Sequence, residues 1–248
     1  MTMFEYTKKA YLAMKEKPKK ERWQYFLDYY KWPALAVLLV IVLVIQTTVA
    51  IVTRKDVVFS GVLVDGYSMY STDEFEETVG TYLGIDTKKE KVQFQTGLSL
   101  ESGMENNKVE SFQQILAGLT IKATDFITAP EDPFELCAYH TSGMFADLRD
   151  YMDADTLAKL EGKLYYIDRT VFKQLQEATA QGIILSIEYP DPLVPEDMDD
   201  PVPVGIDISG HKEFRDEYYM LEKALYLGMA VNTTRPEMVL KFLDFLLA

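Results

Sequence analysis

Cysteine is almost missing from this chain. Cys137 is the only one in 248 residues, so no internal disulfide can form. A small secreted eukaryotic domain often needs such staples, whereas an exported bacterial domain manages without them. Cys137 sits among Phe134, Leu136 and Ala138, which reads as a buried thiol. Histidine is scarce as well: His140 and His211 are the only two, far apart in sequence. There is no H-E-x-x-H, no G-x-S-x-G, no P-loop and no glycine-rich dinucleotide fingerprint. Nucleophilic catalysis needs a base beside the nucleophile, and no local pairing supplies one. The expectation is a non-catalytic protein with no cofactor and no metal. The acid-rich stretch holding Asp197, Asp199 and Asp200 lacks the alternating ligands, central glycine and closing glutamate of a calcium loop.

Basic charge is also short. Lys and Arg number 25 against 39 Asp and Glu, for a net charge of −14. The deficit is uneven. Residues 1–31 carry eight Lys/Arg and four Asp/Glu, while residues 56–248 carry 15 and 35. A domain that acidic is repelled by phosphate backbones and anionic lipid, which argues against nucleic acid as a partner.

What the chain does have is one long apolar run. Ala34 to Ile45 are twelve apolar residues in succession, and after Gln46, Thr47 and Thr48 the run resumes from Val49 to Val52. A helix rising about 1.5 Å per residue needs roughly 20 such residues to cross the hydrocarbon layer. A buried core helix is the alternative, but it would carry charges on one face. Lys17, Lys19, Lys20, Arg22 and Lys31 precede the run, and only Arg54 and Lys55 follow it closely. The positive-inside rule then places the N-terminus in the cytoplasm and residues 56–248 outside. Trp23, Tyr25, Tyr29, Tyr30 and Trp32 suit an aromatic belt on the entry side. A cleaved signal peptide fits less well: the leader is long, and Thr48-Val49-Ala50 is a poor small-residue cleavage site. The division expected is a basic cytoplasmic arm over 1–31, a signal anchor over 32–54 and an extracytoplasmic domain over 56–248. The arm offers a short amphipathic helix over 3–16, interrupted by Pro18.

The outer domain reads as alternating strands and helices. Val57–Val64 is apolar on both faces, as a buried strand is. A helix capped by Ser71 or Thr72 runs to Leu83 and stops at Gly84. Lys91–Thr96 alternates as a strand ending at Gly97, and a polar loop over Glu101–Asn107 leads to a helix over Val109–Leu119. Thr124–Ala129 is a third strand. Pro133 begins a helix through His140. Asp155–Leu160 is a short helix, Leu164–Ile167 a strand, Arg169–Ala180 helical or extended, and Gly182–Ile187 an apolar strand. Tyr189–Val204 holds five prolines and five acids and reads as an exposed loop. Val204–Ser209 returns as a strand. Lys212–Tyr226 reads as a helix, Leu227–Val231 as a strand and Pro236–Leu247 as a closing helix. The crossovers are long enough to make the strands parallel, so the fold class expected is an open, mostly parallel α/β sheet domain.

Three stretches carry a family resemblance: Gly143-Met144-Phe145-Ala146-Asp147-Leu148 at the end of a helix–strand–helix block, Val204–Ser209, and Leu227–Leu247. In this order they resemble an extracellular solute-binding protein of the type 2 periplasmic-binding class, reduced and membrane-anchored, with a small second lobe. The resemblance implies a bacterial binding or sensing module facing outward from the cell membrane, with a small solute or peptide as partner. The alternative is a structural or accessory subunit that keeps the fold without the ligand and docks envelope membrane proteins; lipid is a partner of the anchor in either case. Ligands of open α/β sheets bind outside the carboxyl ends of the strands. The candidate ligand residues there are Asp65, Tyr67, Thr96, Glu131, Asp132 and Asp207, a set suited to a cationic or sugar-like ligand.

Overall fold

The computed structural model describes residues 11–12, 15, 18–68, 73–100, 105–219 and 223–248. Two compact units divide the chain at Arg54 and Lys55. The first is dominated by α1 (Lys19–Val52). Ala34–Val52 has a mean hydropathy of 2.9 and is 0% buried. A core helix of a soluble protein would be covered, so the core-helix alternative falls. By length and composition α1 fits a membrane anchor or a signal sequence. The polar break inside it costs little. Thr47 donates to the carbonyls of Leu43 and Val44, and Thr48 to that of Val44, within the helix itself. Of the arm helix expected over 3–16 only Tyr11, Leu12 and Lys15 are described, and they are helical; the caps at Ser71 and Thr72 lie outside the described residues, as do residues 101–104 of the expected loop.

The second unit runs in chain order through β1 (Asp56–Val64), α2 (Asp73–Leu83), β2 (Glu90–Leu98), α3 (Glu105–Thr120), β3 (Phe126–Pro130) and α4 (Glu131–Ala138). It continues through α5 (Ala154–Lys159), β4 (Leu164–Asp168), α6 (Arg169–Ala180), β5 (Pro201–Asp207), α7 (Lys212–Tyr218), β6 (Leu225–Met229) and α8 (Pro236–Leu247). The six strands form one sheet in the order β2-β1-β3-β6-β5-β4. Helices cover both faces, each over its own apolar layer. Phe59, Leu63, Phe94 and Phe126 pack with Phe75 of α2, Phe214 of α7 and Phe242 of α8. Val62, Val64, Ile127 and Tyr165 pack with Ile115 of α3 and with Phe134 and Cys137 of α4. Alternate residues of β1 therefore feed opposite layers, which is why the strand is apolar throughout. Gly61 interrupts it for a steric reason: a Cβ there would stand 2.0 Å from Phe126 Cζ.

The expected mostly parallel sheet is corrected to a mixed one. β1 runs parallel to β2 and β3, but β3–β6, β6–β5 and β5–β4 are antiparallel. Two connections account for the β4–β5 and β5–β6 pairs. After β4, α6 carries the chain back along the sheet, and the proline-rich stretch then makes a further traverse, so β5 starts beside the end of β4, with Asp168 opposite Pro201. After β5, α7 spans only seven residues. β6 starts beside the end of β5, with Tyr226 opposite Asp207.

Two further expectations change. Gly182–Ile187 is not a strand. Gly182 has φ of +70°, with Ile183 N–H donating to Ala178 O at 2.8 Å and Gly182 N–H to Thr179 O at 3.0 Å. This is a Schellman close of α6, so the glycine ends a helix instead of opening a strand. The helix expected over Lys212–Tyr226 ends at Tyr218, and Leu225 and Tyr226 pair with Pro130 and Ala129 in the sheet. β2 also runs on through Gly97 to Leu98, and the helix expected from Val109 starts at Glu105.

Candidate functional site

β1 hands the chain to α2 on one face of the sheet, while its neighbour β3 hands it to α4 on the other. Space outside the carboxyl ends of two such strands is the topological switch point, where open α/β sheets take ligands. The turn after β1 borders it. Asp65 stands at φ of +54°, and its carboxylate accepts the Leu100 N–H at 3.0 Å. Its own N–H donates to Leu98 O at 2.8 Å. Tyr67 N–H donates to Tyr218 O at 3.0 Å, and Ser68 Oγ donates to the Glu217 carboxylate at 3.0 Å. The turn is thus strapped to β2 on one side and to α7 on the other. The ring of Tyr67 stays exposed.

The space itself is filled by Tyr219. Its backbone is extended directly after α7, which swings the side chain between the ends of β1 and β3. Tyr219 is 4% exposed and Thr128 beneath it 0%. The two hydroxyl oxygens lie 2.6 Å apart, and Tyr219 Oη also donates to Thr128 O at 3.1 Å. The ring lies so close to the turn that a Cβ on Gly66 would meet Tyr219 Cζ at 3.2 Å. Burial pushes the Tyr219 hydroxyl far above its ordinary pKa, the Thr128 bond works against that, and the charge of Asp65 adds to it. Burial and then Asp65 likewise push the Cys137 thiol up to about 12. A thiol held protonated is no nucleophile.

The remaining sequence candidates do not converge. Glu131 and Asp132 open α4 and are exposed. Asp207 ends β5 opposite Tyr226, and its carboxylate accepts the Ser209 N–H at 2.8 Å. Thr96 is half-buried on the edge strand β2. With strands about 4.8 Å apart, Thr96 and Asp207 are roughly 19 Å apart across the sheet, too far for one small ligand. Tyr219 escaped the sequence reading because the helix pattern ran through it. A signal was present: Tyr218 and Tyr219 are adjacent, so they point about 100° apart on a helix and do not share one buried face.

The other chemistry-bearing side chains serve the fold. Asp147 of the G-M-F-A-D-L stretch receives Arg149 Nη2 at 2.7 Å and Arg169 Nη2 at 2.6 Å. Burial works to raise its carboxyl, but the Arg149 hydrogen bonds and charge, with Arg169 behind them, hold it below the ordinary value. Asp168 receives the backbone N–H groups of Thr170, Asp199 and Asp200. Burial is again outweighed by these bonds, and its pKa falls. This carboxylate organises the acid-rich loop. Nδ1 of His211 accepts the Phe214 N–H at 3.1 Å and caps α7. Nδ1 of His140 accepts the Ser142 N–H, and its ring stacks on Phe112. Among the described residues no group of three or more His, Cys, Asp or Glu is placed to hold a metal ion. Searches against protein-family models, curated proteins and solved structures return no match to this chain.

Proposed function

We propose that this protein is a non-catalytic interaction module: a structural or accessory subunit held at the cell membrane by an uncleaved anchor over 32–54. The basic arm lies in the cytoplasm and the acidic α/β domain faces outward, where it docks other envelope membrane proteins. The observation that carries this reading is Tyr219, which occupies the switch-point space and makes its hydrogen bonds to Thr128 there. A solute entering this space must first expel a buried aromatic ring and break those bonds. The basic arm and acidic domain support the orientation.

A thermal-shift screen of the full chain in detergent, against neutral sugars and uncharged capped peptides, tests it. No rise in Tm is expected, in the native chain or in Tyr219→Phe. A rise of about 5 °C or more at a large ligand excess, altered by Tyr219→Phe, would restore the solute-binding reading in the switch-point crevice.

A further inference from the structure

Among the described residues of the second unit, one run of consecutive large apolar side chains stands in the open. Ile183, Ile184 and Leu185 follow α6, and Ile184 is 98% exposed. β3 and β6, similarly apolar, are buried over their whole lengths. The backbone of the run is open too. From Ile184 to Glu188 no N–H or carbonyl has a hydrogen-bond partner among the described residues. Five residues of free donors and acceptors are the length of an ordinary strand. An unpaired stretch of that kind is a template for another chain.

The run is held at both ends. At its start the Ile183 N–H donates to Ala178 O at 2.8 Å, inside the turn that closes α6. Just past its end Tyr189 stacks on Tyr139, with centroids 4.1 Å apart and the rings 3° from parallel. Its own sheet does not take it: beside β4, Pro192 O accepts the Tyr166 N–H at 3.0 Å. Between the run and α6 lies a cavity of about 280 Å³, with Leu175, Ala178 and Thr179 on one side and residues 182–185 on the other. Pockets for small molecules begin at about 300 Å³, so this one suits a single apolar side chain of something larger. The flanks are acidic: Glu177, Glu188 and Asp191 are exposed, against Lys173 on α6.

We propose that Ile184–Glu188 is a docking strip on which another envelope protein lays an extended segment as an added strand. The proposal rests on the accessory-subunit reading above and names its contact surface. Strand addition answers the open backbone, since main-chain bonds hold the segment and a side-chain pocket selects it. A partner helix would leave the strip unpaired, because its own N–H and C=O groups are already bonded. The segment that fits is apolar at alternate positions, with one side chain in the cavity. Basic residues at its ends meet Glu177 and Glu188. A second copy of this chain fits badly: residues 56–248 carry 35 acids against 15 bases, and two such domains repel.

The probe is a labelled peptide, Lys-Val-Thr-Val-Thr-Val-Lys, titrated by fluorescence anisotropy onto the full chain in nanodiscs of zwitterionic lipid. It should bind, and amide exchange of residues 184–188 should then slow at least tenfold. The same peptide N-methylated at every interior residue keeps its side chains and loses its strand hydrogen bonds; it should bind at least tenfold more weakly. So should the peptide with glutamates in place of its lysines. Ile184→Asp should weaken binding at least tenfold, while Ile121→Asp, at another exposed isoleucine, should leave it intact. The proposal is overturned if the peptide does not bind, if either altered peptide binds as well, or if the two substitutions act alike. It is equally overturned if sedimentation shows a dimer of the full chain that Ile184→Asp dissolves, which would give the strip to a second copy. These failures leave the accessory-subunit reading standing, whereas a solute found in the Tyr219 crevice overturns that reading and not the peptide result.

Discussion

Asp125 shows how one residue can bind distant parts of the chain. It is 0% exposed, and its carboxylate accepts Ser60 N–H at 2.9 Å, Thr233 Oγ1 at 2.7 Å and Arg235 Nε at 2.9 Å. Arg235 extends further to the Val58 carbonyl at 2.9 Å. The start of β1, the start of β3 and the entry to α8 thus meet on one charge. A buried ion pair adds little over an apolar replacement of both partners, but removing one partner strands the other without a counter-charge. Asp125→Ala should therefore cost about 3–5 kcal/mol, read as a lower urea midpoint for the full chain in detergent. A loss below about 1 kcal/mol, the range of a surface pair, would mean that Arg235 finds water instead.

At the scale of elements, apolar pattern and end signals decide different things. Pattern finds part of each of the six strands, but Pro201–Pro203 of β5 fall in the expected exposed loop and Leu225–Tyr226 of β6 in the expected helix; α8 is legible to the residue, with Val239, Phe242, Leu243 and Leu246 buried as their spacing requires. Pattern failed where an apolar run had no partner strand. Ile183, Ile184 and Leu185 are 49, 98 and 41% exposed, because Gly182 closes α6 just before them and the 189–192 stretch, not this one, lies beside β4. Pattern also failed at Tyr219, whose helical spacing hid an extended residue. The candidate site was legible as a place, the carboxyl ends of the strands, but not as a group: which acids meet depends on strand order, and the order β2-β1-β3-β6-β5-β4 is not written locally. Ile184 turns this into a measurement. Ile184→Ser should change stability by less than about 0.5 kcal/mol, as a surface substitution does. The same change in a buried strand would cost several times more, and a drop of about 2 kcal/mol or greater in denaturant unfolding would return the stretch to the core.

For the whole molecule, the governing fact is a separation of charge about one apolar helix. Residues 1–31 carry an excess of four positive charges and residues 56–248 an excess of twenty negative ones, with the apolar part of α1, Ala34–Val52, between them in sequence. Basic residues beside a span hold that side in the cytoplasm. In the proposed orientation the lysines meet anionic lipid at the inner surface, which would attract them and repel the acidic domain. By length and composition α1 fits a membrane anchor or a signal sequence; the poor small-residue site at Thr48-Val49-Ala50 accords with the proposed retention. Both points are tested together by adding protease to intact cells with the wall removed. The acidic domain should be degraded from outside, while a fragment holding α1 and the arm survives in the membrane until the cells are lysed. A domain that resists protease in intact cells and disappears only after lysis would reverse the orientation. A mature protein found to begin near residue 50 would mean that α1 acts as a leader and not as an anchor.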